Sequence, residues 1–487
     1  MITTRIFGPP GSGKTRTLTD RLAARLAAGC AEDRVAFLTF TRAARQEAAA
    51  RVRGETPLPW LRTIHSCCYK LLGLREQSMV AGPLLVEFGK SIGVPLTGAP
   101  PDPWFALGDE REVGCATPYD ELLQAYHLAR HRGTPPEQIV SDKIPPHEAT
   151  DFLHRYNRWR DREGLLDYTD ILEDYVARGA AAPVDLIFVD EAQDLSWLQW
   201  LAVRRLAAQV SELMIAGDDD QAVYTWAGAD PREFFMLRAR DEFLERSYRL
   251  SRTIAVLAER VVKRIRVRRE KIFESRRPDG EVRTVGPLLA CVDLAAGALI
   301  LYRDRFQGLR LAEEMDELCI PFAGEISSLS SGVRRTLAAW RDLCDDHLID
   351  KDAALAIARY LAPDWRPPVP SGPVGTMLRW PQVVRWRPAA RNWVEALTGI
   401  PRLQWLVRSC RSLNELIDPV VELSTIHHAK GREADHVVVC PDMSRRPYEA
   451  LTGSSSDDEH RVWYVAVTRA RERLTLLAPA TNRYYTF

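Results

Sequence analysis

The chain has 487 residues, of which 46% are hydrophobic and 27% charged, with 66 basic side chains against 66 acidic ones. At roughly 100–200 residues per domain this length calls for two to four domains, and the composition excludes a wholly disordered, collagen-like or coiled-coil protein. With no net charge, any polyanion must be held by a local groove and not by the field of the whole molecule.

Ile2 to Phe7 is short and β-rich, and glycines and prolines then turn the chain into Arg16–Ala28, where leucine and alanine recur at helical spacing. Val35–Phe40 leads in the same way into a helical stretch, Arg42–Val52, and the adjacent Cys67 and Cys68 form no Cys-x-x-Cys pair that would signal zinc. Between residues 69 and 164 turn clusters such as Thr97–Pro103 and amphipathic stretches such as Glu121–Arg130 predict a helical insertion. Leu186–Val189 and Leu213–Ala216 then resume the pattern of an apolar run ending in a turn, as in a mostly parallel sheet. From residue 245 the α/β pattern restarts, with a helix over Arg252–Arg269, an apolar run at Ala298–Tyr302 and a helix over Leu311–Leu318. A stretch rich in Pro, Trp and Gly, Ala362–Val384, precedes strands at Val420–Ser424, Val437–Cys440 and Leu474–Leu477. The basic run Lys263–Lys271 reads as a solvated helix face. No window approaches 18 uncharged apolar residues and no signal peptide opens the chain, so a soluble cytoplasmic protein without membrane contact is expected.

Gly8-Pro9-Pro10-Gly11-Ser12-Gly13-Lys14-Thr15 fits the phosphate-loop spacing G-x-x-x-x-G-K-[ST] and lies between a predicted strand and helix. Glycines there let successive backbone N–H groups converge on phosphates at the positive end of a helix, with Arg16 in its first turn. Lys14 reaches the β and γ oxygens, and Thr15 offers a hydroxyl to Mg2+. Leu186–Val189 ends in Asp190 and Glu191, placing carboxylates at the carboxyl end of a strand, where ligands of α/β sheets gather. Asp190 suits the metal, and Glu191 suits a general base for the attacking water.

Asp190-Glu191-Ala192-Gln193-Asp194 resembles motif II of the UvrD/Rep-like superfamily 1 DNA helicases, and companion strings follow in the family's order. Phe37 to Ala44 resembles motif Ia, Thr63 to Ser66 motif Ib, Ala216 to Tyr224 with Trp226 motif III, and Leu244 to Arg249 motif IV. Thr425 to Glu433 resembles motif V and Tyr464 to Ala470 motif VI. The resemblance implies an α/β fold of two RecA-like parallel-sheet motor domains, each with a mainly helical insertion. The first domain would comprise residues 1–68 and 165–244 around an insertion at 69–164. The second would comprise 245–324 and 418–487 around a reduced accessory insertion at 325–417.

By the same resemblance Gln221 senses the γ-phosphate, Arg249 and Arg469 are arginine fingers presented by the second domain, Tyr248 stacks on adenine, and Glu433 bonds the ribose. Phe40, Thr63, His65, Trp226, Thr425 and His427 match positions near the nucleic acid. The implied activity is ATP- and Mg2+-dependent translocation 3′ to 5′ on single-stranded DNA, acting as a monomer at single-strand/duplex junctions, with a repair or replication protein as partner. A nucleotide-switched DNA- or protein-binding module and an RNA-directed motor remain alternatives, since base stacking does not distinguish the sugar. The sequence departs from the family pattern in places. The family's adenine-recognition segment ahead of the loop has no counterpart before the first strand, so weaker nucleotide selection is expected. No nuclease or partner-binding tail is expected after motif VI. Ser247, Leu250 and Ala227 replace residues the family favours, which predicts a missing DNA contact, and Arg432 stands where an apolar residue is common.

Overall fold

The computed structural model describes residues 2–40, 45, 48–49, 58–75, 79–100, 102, 117–135, 138–139, 141–272, 274–327, 329–366, 377–389, 393–400, 412–453 and 455–487. By contacts the chain divides into two compact units, Met1–Leu250 with Val262–Pro278, and Ser251–Val261 with Asp279–Phe487. The chain is α/β, and each unit carries one six-stranded, all-parallel sheet of the RecA-like kind.

In the first unit the strands are β1 (Ile2–Phe7), β2 (Val35–Thr39), β3 (Leu61–Thr63), β4 (Leu186–Val189), β5 (Glu212–Gly217) and β6 (Arg240–Phe243), in the order β3-β2-β4-β5-β1-β6. Because successive side chains of a strand point to opposite faces, Phe7, Ile187 and Ile215 pack with Trp200 and Phe234 on one face. Their neighbours Ile6, Phe188 and Ala216 pack with Leu18 and Leu22 on the other. Those two leucines lie on helix α1 (Lys14–Ala27), one turn apart. Full burial of each large apolar side chain contributes about 1.5–3 kcal/mol, which is why both faces must be covered. Strand β6 was not evident from its sequence, since Arg240-Asp241-Glu242 is charged. It is held to β1 by the buried Arg5, which donates to Asp241 (2.6 Å) and to the carbonyls of Phe234 (2.6 Å) and Leu237 (3.1 Å). The helix expected over Arg42–Val52 lies largely outside the described residues, as do Thr41–Ala44 of the motif Ia string.

Residues 82–163 contribute helices at Gly82–Ile92, Pro118–His131 and Pro146–Glu163, packed through Leu85, Phe88, Leu122, Phe152 and Tyr156. Two further short strands, β7 (Arg246–Ser247) and β8 (Glu274–Ser275), pair with each other within the first unit. The helix expected to run from Arg252 to Arg269 ends at Val262. Beyond it the basic run leaves the helix, and although Arg266 and Arg269 stay exposed, the side chains of Lys271 and Arg268 turn inward against carboxylates instead of lying on a solvated helix face.

The second unit contains β9 (Glu281–Val285), β10 (Ala298–Tyr302), β11 (Phe322–Ala323), β12 (Val421–Thr425), β13 (Ala434–Val439) and β14 (Ala470–Leu477), in the order β11-β12-β10-β13-β14-β9. Its core joins Ile300, Tyr302, Leu423 and Val438 to Leu311 and Met315 of the helix Arg305–Glu317. Among the described residues between Leu329 and Ile417, a separate apolar cluster gathers around Trp340, which meets Trp365 edge-on at 5.6 Å.

Candidate nucleotide site and nucleic-acid-facing residues

The glycine-rich loop follows β1 directly, and α1 begins at Lys14. Gly11 and Gly13 hold φ of 72° and 83°, the left-handed region that side chains other than glycine's resist. A Cβ on Gly11 would fall 2.2 Å from the Cβ of Arg249. The buried Lys14 ammonium donates to the Gly8 carbonyl (2.9 Å), folding its positive charge over the loop. The Ser12 hydroxyl is buried with no hydrogen-bond partner among the described residues. A left-handed loop at a helix N-terminus, a buried ammonium and an orphaned hydroxyl together make a cradle that fits phosphate.

Thr15 Oγ1 donates to Asp190 Oδ2 at 2.6 Å, so the two residues expected to hold Mg2+ meet. Burial, reinforced by neighbouring Glu191, pushes the Asp190 carboxyl up to about 7. Both effects disfavour a second negative charge and are the ones a divalent cation would reverse. Glu191 has a left-handed backbone (φ 51°), a strained conformation for glutamate at the strand-to-turn junction. It accepts from Gln193 Nε2 at 2.6 Å. Gln193 Oε1 in turn accepts the Asp218 backbone N–H at 3.0 Å, and Asp218 Oδ2 accepts from Gln221 Nε2 at 2.7 Å. Glu191 and Gln221, from the ends of different strands, are thus joined through Gln193 and Asp218. Gly217 makes this possible, because a Cβ there would lie 2.5 Å from Gln193 Oε1.

The motif IV string packs on the phosphate loop within the first unit. Ser247 Oγ donates to the Pro10 carbonyl (2.7 Å) and the Tyr248 N–H to the Gly11 carbonyl (3.0 Å). Ser247 and Leu250 are both buried, which gives these departures from the family pattern a packing role. The Tyr248 ring is 61% exposed, and Arg249, expected from the second domain, is counted with the first unit. Arg16 is exposed beside Asp20.

In the second unit Arg469 is buried, donating to the carbonyls of Val465 (3.1 Å) and Arg432 (3.1 Å) and to Thr468 Oγ1 (3.1 Å). Glu433 lies 3.5 Å from Arg471, and Arg432 pairs with Glu422. Thr425 closes β12 and accepts the His428 N–H (3.1 Å), beside His427, whose imidazole is held by burial well below its ordinary pKa.

Among the residues expected near nucleic acid in the first unit, Trp226 is 47% exposed. Phe40 is partly buried and stacks on Tyr224 at 5.3 Å. Thr63 caps the helix Ile64–Leu71 by accepting the Ser66 N–H. His65 is buried and stacked on Tyr168 at 4.0 Å, so in this structure its face meets a tyrosine and not a base. Sequence reasoning missed Gln193, Ser247, Arg268 and Lys271 as parts of the site. Only Gln193 carried a local signal, its place between two acids of motif II.

An AAA-domain family model matches residues 2–227, and the model of the UvrD-like helicase C-terminal domain matches residues 400–480. The ATP-dependent DNA helicase PcrA of Staphylococcus aureus is 27% identical over 309 residues, covering 57% of this chain and 40% of that protein. PcrA of Staphylococcus epidermidis is 27% identical over 303 residues, covering 55% and 38%. This chain therefore aligns with well under half the length of these curated relatives. A solved structure described as that of PRRSV helicase covers 99% of this chain and 53% of its own at 11% identity, with a TM-score of 0.33. That score is too low to bear on the fold. The family-model matches at both ends, the helicase relatives and the ordered motif strings agree in their likeness to the UvrD/Rep-like superfamily 1 helicases.

Proposed function

We propose that the chain is an ATP-driven motor that moves 3′ to 5′ along single-stranded DNA and opens duplex at junctions. ATP use is supported by the AAA-domain match over the phosphate loop and by the likeness to ATP-dependent helicases. The reading rests chiefly on the hydrogen-bonded path from Glu191 through Gln193 and Asp218 to Gln221, beside a loop whose Ser12 hydroxyl and Lys14 ammonium suit phosphate. Glu191 orients or deprotonates the attacking water, and Gln221 reports the γ-phosphate. Lys14 and backbone N–H groups hold the phosphates, while Thr15 and Asp190 would hold Mg2+, which would supply neutralisation of phosphate charge. Arg249 and Arg469 neutralise the leaving phosphoryl group, with Tyr248 and Glu433 on the nucleoside. Motif III carries Gln221 and the exposed Trp226 five residues apart, so one segment links nucleotide state to a ring able to stack on a base of any sequence. Phe40, Thr63, Thr425 and His427 complete the nucleic-acid side, and no helix among the described residues is long and apolar enough to cross a membrane.

The test is ATPase rate with and without single-stranded DNA, alongside unwinding of duplexes bearing a 3′ or a 5′ tail. DNA stimulation with unwinding from the 3′ tail alone is expected, and Lys14→Ala should abolish both. Stimulation without unwinding reduces the activity to translocation, and stimulation by RNA but not DNA overturns the substrate.

A further inference from the structure

Motif III holds three consecutive aspartates, Asp218, Asp219 and Asp220, each 1% exposed or less and close enough for one cation to touch a carboxylate oxygen of all three. Three buried carboxylates repel one another and have lost their water, so a positive charge must stand among them. That charge belongs to the chain itself. The Lys271 ammonium, with its side chain 3% exposed, lies 3.1 Å from Asp218 Oδ1 and 2.8 Å from Asp220 Oδ2 and is bonded to Asp219 Oδ1. Arg268 adds two bonds of 2.8 Å to Asp220, and the Arg269 backbone N–H donates to Asp219 at 2.8 Å. Residues 268–271 are thereby fastened onto motif III, and the ammonium stands where a divalent cation would otherwise fit.

The two oxygens of Asp218 face different ways. Oδ1 meets Lys271, whereas Oδ2 accepts the Gln221 side-chain amide at 2.7 Å. Gln221 therefore hangs from a carboxylate whose orientation is set by a buried ammonium. We infer that Lys271 is a positioning residue for ATP hydrolysis, acting through Asp218 to hold the Gln221 amide in register with the γ-phosphate. This rests on the reading of Gln221 as the γ-phosphate sensor. Acting through Asp218 on Gln221, Lys271 should affect the chemical step and not ATP binding. Misplacement of a reacting group by about 1 Å costs on the order of 10²-fold in rate.

The test uses the full chain, first confirming DNA-stimulated ATP hydrolysis in the wild type. Lys271→Met/Asp219→Asn removes one charge of each sign, which limits the destabilisation that Lys271→Met alone would bring. It is expected to lose roughly 10²-fold in kcat while KM for ATP and affinity for a fluorescent ATP analogue stay within about threefold. Adding Gln221→Ala to that variant should cost nothing beyond what Gln221→Ala costs alone, since residues acting in one line are not additive. A merely structural lysine would instead multiply the two losses. Should the paired variant fail to fold, Asp218→Asn serves the same purpose. Its amide offers one acceptor to two donors, Lys271 and Gln221, and should give the same kcat loss and the same non-additivity. Wild-type kcat in either variant, or multiplied losses, overturns the inference while leaving the motor reading intact. Absence of ATP hydrolysis in the wild type overturns both.

Discussion

His65 offers a direct test of whether a motif Ib histidine serves the nucleic acid or the core. Burial, reinforced by His131 and opposed by Asp102, pushes its pKa from 6.5 down to about 3, and its Nε2 has no hydrogen-bond partner among the described residues. A histidine whose folded pKa lies below its unfolded value gives stability that is intact above pH 6.5. That stability drains as pH falls toward 3, because the unfolded chain takes up a proton the folded chain refuses. Moving from pH 7 to pH 5 crosses about 1.5 units of that window, so at about 1.36 kcal/mol per unit His65 alone removes about 2 kcal/mol, and by pH 4 about 3 kcal/mol. For a unit of this size 1 kcal/mol is about 2–4 °C of melting temperature. Replacing the ring with a phenyl of similar shape keeps the stack on Tyr168 and removes the titration. The melting temperature of His65→Phe should therefore fall about 4–8 °C less than that of the wild type between pH 7 and pH 5, with single-stranded DNA affinity at pH 7 within twofold. Equal pH slopes would refute the burial argument, and a tenfold loss of DNA affinity would return His65 to the strand.

Two further outcomes follow from the site and the core. Glu191→Gln should lower single-turnover ATP hydrolysis by about 10²–10⁴-fold while nucleotide binding persists; a wild-type rate would remove Glu191 as the base. Trp340→Ala should destabilise the apolar cluster around it by about 3–5 kcal/mol, seen as an early unfolding transition, since Trp340 is fully buried and donates to the Ala389 carbonyl. An unchanged melting profile would mean that this cluster is not a cooperative core.

What the sequence revealed and what it hid follow from one distinction. Strands buried on both faces are continuous apolar runs, so β4 and β10 were legible to the residue, as was the phosphate loop, whose chemistry is local. Edge strands such as β6 and β9 carry Arg, Asp and Glu and have no apolar alternation to read. The basic run ending at Lys271 was misread for a related reason. Charged residues in sequence look solvated unless their partners are known, and the partners of Arg268 and Lys271 lie some fifty residues away in motif III. His65 was legible as a motif residue but not as a buried one, because the stack on Tyr168 joins segments a hundred residues apart.

The same distinction bears on Gln193, whose motif suggests a catalytic neighbour but whose contacts make it a connector. It is completely buried, with both ends of its amide in use: Nε2 donates to Glu191 (2.6 Å) and Asp194 (3.0 Å), and Oε1 accepts from the Asp218 backbone (3.0 Å). Gln193→Ala removes the acceptor of the Asp218 N–H and the amide that donates to Glu191 on the path to motif III. Leaving a buried group unsatisfied costs about 1–3 kcal/mol, a factor of about 10–100 if the loss falls on the transition state. Because the side-chain bonds of Gln193 run to Glu191, Asp194 and Asp218, the loss should appear in kcat for ATP, with KM and Mg2+ dependence near wild type. Gln193→Glu separates connection from bulk. A carboxylate at this position still accepts the Asp218 N–H but cannot donate to Glu191 and repels it, so it should be at least as slow as the alanine variant despite better packing. Recovery of activity in Gln193→Glu would mean that filling the space, and not joining the two carboxylates, is what the glutamine does.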